Sequence, residues 1–266
     1  MFWIVQEDLY NEYKYDEFLN ALDRMNIDHV LVKPIPFTNT LVNEDEIHID
    51  DSQPIIVSGS VSLVRVARRR GWLPGSFHDH DFFFQEWRDG FGKDNCLNGH
   101  AKIVKLKDAT FNGHDIFVRP ILDNKSFSGV VMNREEFMSW QSHYAYVERT
   151  DEFQTLHQDT EIMMCRPKNI MAEYRFFVAD GKVVTGSLYV RGRRVVYEEC
   201  HEEDVIEFTQ SMVDKFQPAK AFVLDVARID GGFKIIEVNN FNSAGFYACD
   251  VVKIINAVEE MTEFYS

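Results

Sequence analysis

Apolar positions along the first third of the chain follow two alternating periods. Phe2 to Val5, His29 to Val32 and Pro54 to Val57 are short apolar runs that read as strands, the second stopped by Pro34 and Pro36. Between the first two, Phe18, Leu19, Leu22 and Met25 recur at helical spacing and predict a helix over Tyr15 to Met25. Ser58-Gly59-Ser60 leads into a second helix from about Val61 to Arg70, with Gly71 as its stop and Pro74 beyond. Strands alternating with helices predict a small α/β domain of parallel strands, residues 1–95, ending in GFGKDNCLNG.

Residues 96–266 carry a different pattern. Ile103 to Leu106, Ile116 to Ile121 and Gly129 to Met132 read as strands with short turns, followed by a helix over Arg134 to Ser142. Glu161 to Arg166, Ala172 to Ala179 and Val183 to Val190 are strands again, the last two joined by Asp180-Gly181. A helix over His201 to Phe216 precedes strands at Ala221 to Ile229 and Phe233 to Val238, which flank Asp230-Gly231-Gly232. Val251 to Met261 is a closing amphipathic helix. This is an antiparallel α+β pattern, without repeats or low-complexity tracts.

One stretch breaks its own pattern. In KIIEVNNFNSAGFY, an apolar strand runs into Glu237, Asn239, Asn240 and Asn242. With a three-residue loop over Asp230 to Gly232, Asp225 falls directly opposite Glu237, and Asn239 shares the face of Glu237. Two opposed carboxylates have Cβ atoms roughly 4.5–5.5 Å apart, which is destabilising for like charges. A cation between them resolves the conflict, and oxygen donors from Asp225, Glu237 and Asn239 suit Mg²⁺ shared with substrate phosphates. The alternatives are solvated residues at a strand edge, or one protonated carboxyl. A one-residue slip would put Asp225 on the other face.

Composition narrows the function classes. The chain has 266 residues, 45% hydrophobic, with 22 Phe and 10 Tyr, enough for a sizeable core. Its formal charge of −15 repels nucleic-acid backbones and anionic lipid, so a nucleotide site must be a local basic pocket. Cys96, Cys165, Cys200 and Cys249 form no CxxC pair, so neither a zinc ribbon nor a disulfide framework is indicated. MFWIVQED has neither the apolar length nor the basic start of a signal peptide, and no stretch reaches the length of a membrane span. The sequence reads as a reduced, soluble, cytoplasmic protein with no nucleic-acid or membrane partner.

The candidate cations lie upstream of the acids. In FVRPILDNKSFSG a strand ends at Arg119, and a small-residue turn carries Lys125, Ser126, Ser128 and Gly129. Such a turn can cradle phosphate, or it is a plain hairpin loop. In EYRFFVADGKVVTGSLYVRGRR, Glu173, Arg175 and Phe177 share a face, and Tyr189 and Arg191 recur on the partner strand. A half-buried Arg175 needs an anion: Glu173, another carboxylate, or a phosphate. Arg193 and Arg194 fit a solvated turn or a substrate contact. FHDHD, Phe77 to Asp81, offers His78 and His80 to a transition metal, but a polar loop explains it as well. RVARRRGW places cations at a helix C-terminus, where they stabilise it. Cys165 reads as buried and apolar, since nothing nearby activates it.

These segments, in the order FVRP, NKSFSG, EIMMCRP, EYRFFVADGKVV, FVLDVAR and IIEVNN, resemble the ATP-grasp superfamily. In detail they are similar to the divergent clade named for one arginine and two lysines. That clade includes phage and bacterial proteins and the eukaryotic cell-division-cycle protein that assembles translation initiation factor 2. The resemblance covers about Ala101 to Met261, and the first domain resembles the α/β unit that precedes many ATP-grasp domains. It implies ATP between two antiparallel lobes, about 101–164 and 165–266, with adenine on the backbone near Met164, Cys165 and Arg166. It also implies phosphate contacts from Arg119 and the Lys125–Gly129 turn, with Glu173 in the nucleotide site, and Mg²⁺ on Asp225, Glu237 and Asn239. Arg175 would grip the γ-phosphate, and Arg191 would stabilise charge developing in transfer. Arg119 stands where the wider superfamily has a lysine, which changes reach and geometry.

The superfamily's usual chemistry implies an ATP- and Mg²⁺-dependent carboxylate–amine ligase working through an acylphosphate, with a peptide or protein as one candidate substrate. A non-catalytic ATP-binding assembly protein and a kinase using the same site are the alternative readings.

Overall fold

The structure is a computed structural model that describes residues 1–9, 12–36, 38–44, 47–77, 82–121, 129–148, 156–242 and 244–261. Its first unit runs β1 (Phe2–Gln6), α1 (Tyr15–Arg24), β2 (His29–Val32), β3 (Ile55–Ser58), α2 (Val61–Arg70) and β4 (Pro74–Gly75). The strands pair in parallel, as the alternating pattern predicts; their order is β2-β1-β3-β4, and the two-residue β4 is not foreseen by the sequence reading. A parallel sheet is covered on both faces, so its strands read as unbroken apolar runs. Trp3, Val5 and Ile56 pack under α1, while Ile4, Ile55 and Val57 pack under α2. Gly71 closes α2 in the left-handed conformation, at φ 72°.

The helix α3 (Phe84–Phe91) is not foreseen by the sequence reading. Its apolar positions Phe84, Trp87 and Phe91 have helical spacing, but no side chain caps its start to mark it. All three pack into the core beneath the largest sheet of the molecule. The segment just before the expected boundary at residue 95 is therefore anchored in the second unit.

A four-stranded sheet comes next, from β5 (Lys102–Lys105), β6 (Ile116–Pro120), β7 (Val130–Met132) and β8 (Glu161–Cys165). Its order is β5-β8-β6-β7, all antiparallel. The helix α4 (Arg134–Tyr144) starts on a reciprocal cap, in which Asn133 accepts from the Glu136 backbone and Glu136 accepts from that of Asn133. Phe137 roots α4 in the core of this sheet, with Val118 and Ile162.

The largest sheet comprises β9 (Ile170–Ala179), β10 (Lys182–Arg191), β11 (Arg194–Glu199), β12 (Ala221–Ile229) and β13 (Gly232–Asn240). Helix α5 (Glu203–Lys215) precedes β12, and α6 (Val251–Glu259) comes after β13. The order is β11-β10-β9-β12-β13, antiparallel throughout. Strand alternation divides the central strands cleanly. Tyr174, Phe176, Val178, Phe222, Leu224 and Val226 point to the core shared with α3 and α5. Phe177 and Val223 point to the other face, against Ile254 of α6. On that second face the next positions along the strands are Arg175 and Asp225, where the apolar layer gives way to charge. The sequence shows only a turn with Arg193 and Arg194 where β11 stands. It is an edge strand with almost every residue exposed, so it has no buried face to give it a pattern.

Candidate active site

The acid pair depends on a backbone irregularity that the sequence does not announce. The β12–β13 hairpin turns on two residues, Asp230 and Gly231, with Ile229 opposite Gly232, rather than on the expected three-residue loop. That tighter turn alone would set Asp225 against Ile236. The register instead shifts between Asp225 and Val226, so that Val226 faces Ile235 while Asp225 faces Glu237. One extra residue on β13 re-aims the side chains beyond it, the usual effect of a β-bulge. The Asp225–Glu237 juxtaposition is thus present, by a different local route.

Two arginines neutralise the pair. Arg175, opposite Asp225 on β9, donates from Nε to Oδ1 at 2.9 Å and from Nη2 to Oδ2 at 2.8 Å. Asp225 is 1% exposed and Arg175 9%, so this is a buried, bidentate ion pair. Glu237 Oε2 lies 2.8 Å from Nη1 of Arg119, which comes from β6 in the four-stranded sheet; this bond ties the two antiparallel sheets together. Asn239 Nδ2 donates to Asp225 Oδ2 at 3.3 Å and to Glu237 Oε1 at 3.2 Å. A bound metal ion is not needed to make the opposed acids tolerable, because each acid has its own guanidinium. Burial pushes the Asp225 carboxyl above its ordinary value; Arg175 opposes the rise, and the like charge of Glu237 adds to it.

Arg175 is itself held from three sides. Its guanidinium lies over the rings of Tyr247 and Tyr189, 4.6 and 5.8 Å from their centroids, and Nη1 reaches the Gly245 carbonyl at 3.4 Å. Tyr189 and Tyr247 stack at 4.8 Å, and Tyr189 donates its hydroxyl to Glu173 at 2.9 Å. Glu173 is therefore one residue pair removed from the acids, positioning Tyr189 rather than touching Arg175. Sequence reasoning left Tyr247 and Gly245 out of the site. Their signal was present in KIIEVNNFNSAGFY, two and four residues before the buried Cys249 that anchors the loop's end.

The remaining candidates divide by location. Met164 is buried in the core of the four-stranded sheet. Cys165 ends β8 and donates from Sγ to Asn98 Oδ1 at 3.2 Å, and burial raises its thiol above the usual range. Arg166 comes directly after it and lines an open depression with His114, Asp115 and Arg134. A Cβ on Gly129 would meet the Phe117 ring at 2.5 Å, so close packing requires glycine there. Arg191 is not brought to the acids: it faces Ala172 across β9, is 61% exposed, and pairs with Glu198 at 2.8 Å. Lys125 and Ser126 lie outside the described residues, as do His78 and His80 of FHDHD. In the basic helix end, Arg69 and Arg70 pair with Glu44, and Arg70 covers the Trp72 ring.

The donor set can be tested against Mg²⁺ on these atoms. Two carboxylates and an amide are hard oxygen donors of the right class. Among the described residues no group of three or more His, Cys, Asp or Glu is arranged to hold a metal, so the chain offers a partial shell. A partial shell suits an ion shared with phosphates. Three carboxylate oxygens are taken by arginines, both of Asp225 and Oε2 of Glu237, and Asn239 presents its NH₂ rather than its Oδ1 to the acids. The residues fit the ion once those groups turn aside.

Two antiparallel sheets meeting at a charged cleft, with a parallel α/β unit before them, define the ATP-grasp fold. Residues 100–257 match the model of an ATP-grasp domain, family 2 of the clade named for one arginine and two lysines, and the chain belongs to that family. The structure is similar over nearly its whole length to the D-cycloserine synthetase DcsG, with a TM-score of 0.64, 11% identity, and coverage of 98% of this chain and 99% of that one. It is also similar to the macrocyclase MdnC bound with precursor peptide MdnA from Microcystis aeruginosa MRC (TM-score 0.59, 8% identity, 97% and 100% covered). D-alanine–D-alanine ligase from Bacillus anthracis gives 0.55, 14%, 97% and 92%. No curated protein matches the sequence. Among the described residues no helix is long and apolar enough to cross a membrane.

Proposed function

We propose that this protein is an ATP- and Mg²⁺-dependent carboxylate–amine ligase. The observation that carries the reading is the Asp225–Glu237 pair, with Asp225 buried and Glu237 partly exposed, and with Arg175 and Arg119 drawn from two different sheets. It places two anions and two cations where the sheets meet, the inventory needed to hold a metal-bound triphosphate. Asp225, Glu237 and Asn239 would hold Mg²⁺, which screens the triphosphate charge when bound. Arg175, pre-positioned by Tyr189 and Tyr247, would contact the γ-phosphate, and Arg119 the phosphates from the other lobe. The nucleotide-binding unit would be residues 96–266, preceded by the α/β unit 1–95. Arg191 is left out of this proposal because of its exposed position and its Glu198 partner.

In this chemistry a substrate carboxylate oxygen bonds to the γ-phosphorus, and the bond to the β,γ-bridging oxygen breaks, releasing ADP. The amine nitrogen then bonds to the acyl carbon as the carbon–oxygen bond to phosphate breaks, and the proton lost from nitrogen leaves with the phosphate or to solvent. Positioning and charge stabilisation suffice, with no covalent nucleophile from the protein. That agrees with four cysteines that are buried or half-buried. A peptide substrate is supported by analogy with solved relatives, which include the ligase PsnB complexed with its minimal precursor. The test is release of ADP and phosphate that requires a carboxylate and an amine together. Normal Mg-ATP binding with no turnover across a broad panel of such pairs would remove the ligase reading. Transfer of phosphate to a hydroxyl, in a product stable to hydroxylamine, would replace it with a kinase.

A further inference from the structure

A cavity of about 380 Å³ opens beside the acid centre. It lies at the C-terminal end of β3 and beside α1, at an end of the parallel sheet where ligands usually bind. Trp3, Phe18 and Ile56 form one wall, and Phe77, Phe241 and Phe246 the other. Its volume is near the lower bound for small-molecule sites, roughly 300–1,000 Å³, so it accommodates a compact molecule and not a folded partner.

Gly59 and the Ser60 N–H, at the start of α2, are engaged within the protein, although no side chain caps the helix there. Gly59 exchanges two hydrogen bonds with the Asn242 amide, at 2.9 Å each. The Ser60 N–H donates to Gln6 Oε1 at 2.9 Å, and the Tyr15 hydroxyl donates to the Gln6 carbonyl. Among the described residues Glu12 is the one charged group lining the cavity. Among the same residues no cation forms an ion pair with it, although the Phe246 N–H hydrogen-bonds its carboxylate and the Arg175 guanidinium attracts it from beyond Gly245. A half-buried carboxylate in an aromatic chamber is complementary to a cationic head on an apolar body.

Glu12 also points toward the acid centre. A Cβ placed on Gly245 would lie 2.7 Å from Glu12 Oε1 and 3.7 Å from Arg175 Nη1. Gly245 is thus the thin partition between cavity and phosphate-binding arginine. A side chain there would close the route from one to the other.

We propose that this cavity binds a small primary amine with an aromatic or bulky aliphatic body, its ammonium on Glu12 and its apolar body among the phenylalanines. This rests on the ligase reading for its role, since it makes the bound molecule the amine substrate held beside the activated carboxyl.

Calorimetry with 2-phenylethylamine and 3-phenylpropanoate, matched in shape and opposite in charge, tests the site. The amine is expected to bind and the acid is not. Glu12→Gln is expected to weaken the amine at least tenfold, and Ala244→Phe, which fills the cavity, to abolish binding, with melting curves confirming that each variant folds. Equal or tighter binding of the acid overturns the proposal. So does amine affinity unchanged in Glu12→Gln, or absence of amine binding to the wild type both with and without Mg-ATP. Mg-ATP is titrated separately: amine binding without nucleotide binding would refute the ligase reading and leave the cavity assignment standing.

Discussion

Neutralising one acid of the pair separates two opposing forces at the centre. Asp225→Asn relieves repulsion between Asp225 and Glu237, worth about 1 kcal/mol or less for a cross-strand like-charged pair. It also leaves the Arg175 guanidinium, 9% exposed, without its counter-charge. An asparagine can accept one of the two guanidinium bonds, but its NH₂ then faces a second N–H. Removing one partner of a buried pair costs about 3–5 kcal/mol, so the net loss is about 2–4 kcal/mol. Glu237→Gln acts on a different balance. Glu237 and Arg119 are each about a quarter exposed, at 26% and 25%, so their bond is screened by water. Such pairs contribute about 0–1 kcal/mol, which the relieved repulsion offsets. The assay is urea denaturation of metal-free protein, comparing midpoints at unchanged slope. Asp225→Asn is expected to lower stability by about 2–4 kcal/mol and Glu237→Gln to change it by less than about 1 kcal/mol. Equal losses, or a more stable Asp225→Asn, would refute the view that Arg175 dominates the energetics. Both variants are expected to lose Mg-dependent ATP binding.

Three further perturbations read other parts of the site. Arg175→Lys keeps the charge but loses the planar fork, with an expected cost of about 1.5–3 kcal/mol in denaturant titration and weaker ATP binding; wild-type stability would mean that the bidentate geometry is immaterial. Burial pushes the Glu12 carboxyl above its ordinary 4.5, so the folded chain holds that proton more tightly than the unfolded one. The resulting stability is full below about pH 4.5 and is lost as pH rises through the raised value. Glu12→Gln is therefore expected to exceed the wild type in urea midpoint at neutral pH and to match it in acid, and a gap independent of pH would contradict this. Gly59→Ala would place a Cβ 2.8 Å from both Gln6 Cβ and Leu63 Cδ2. Overpacking of this kind costs about 1–3 kcal/mol, visible in thermal melting, and an unchanged melting temperature would show that the Gln6 clamp moves freely.

The sequence carried most of the architecture because the buried faces leave periodic traces. The limits of α2 and three of the four strands of the parallel sheet come from unbroken apolar runs and the Gly71 stop. The features it did not carry have physical reasons. Strand β11 buries neither face, so no alternation marks it. Helix α3 lacks a capping side chain and lies in an aromatic run whose spacing is easily taken for a loop. The bulge beside Asp225 has no glycine or proline to announce it. The Asp225–Glu237 opposition was still legible, because an assumed loop one residue too long and an unseen bulge one residue long compensate each other along the hairpin.

The arginine partners were less legible, and they change how the centre is understood. The sequence offers Arg175 a carboxylate or a phosphate, and Arg119 only a phosphate, while the acids read as awaiting a cation. The structure joins them: Arg175 to Asp225 and Arg119 to Glu237. Groups that suit a nucleotide's charges suit each other, and a buried acid left alone would cost several kcal/mol. The two acids and two arginines thus neutralise each other, which reconciles a buried Asp225 opposite Glu237 with a stable fold. Under the proposed function, binding of a metal-bound triphosphate would be an exchange of partners, acids to cation and arginines to phosphate, rather than an addition of new charges. Because Arg119 and Glu237 sit on different sheets, the same exchange would release the one ion pair that joins the lobes among the described residues, and link occupancy of the cleft to their relative freedom.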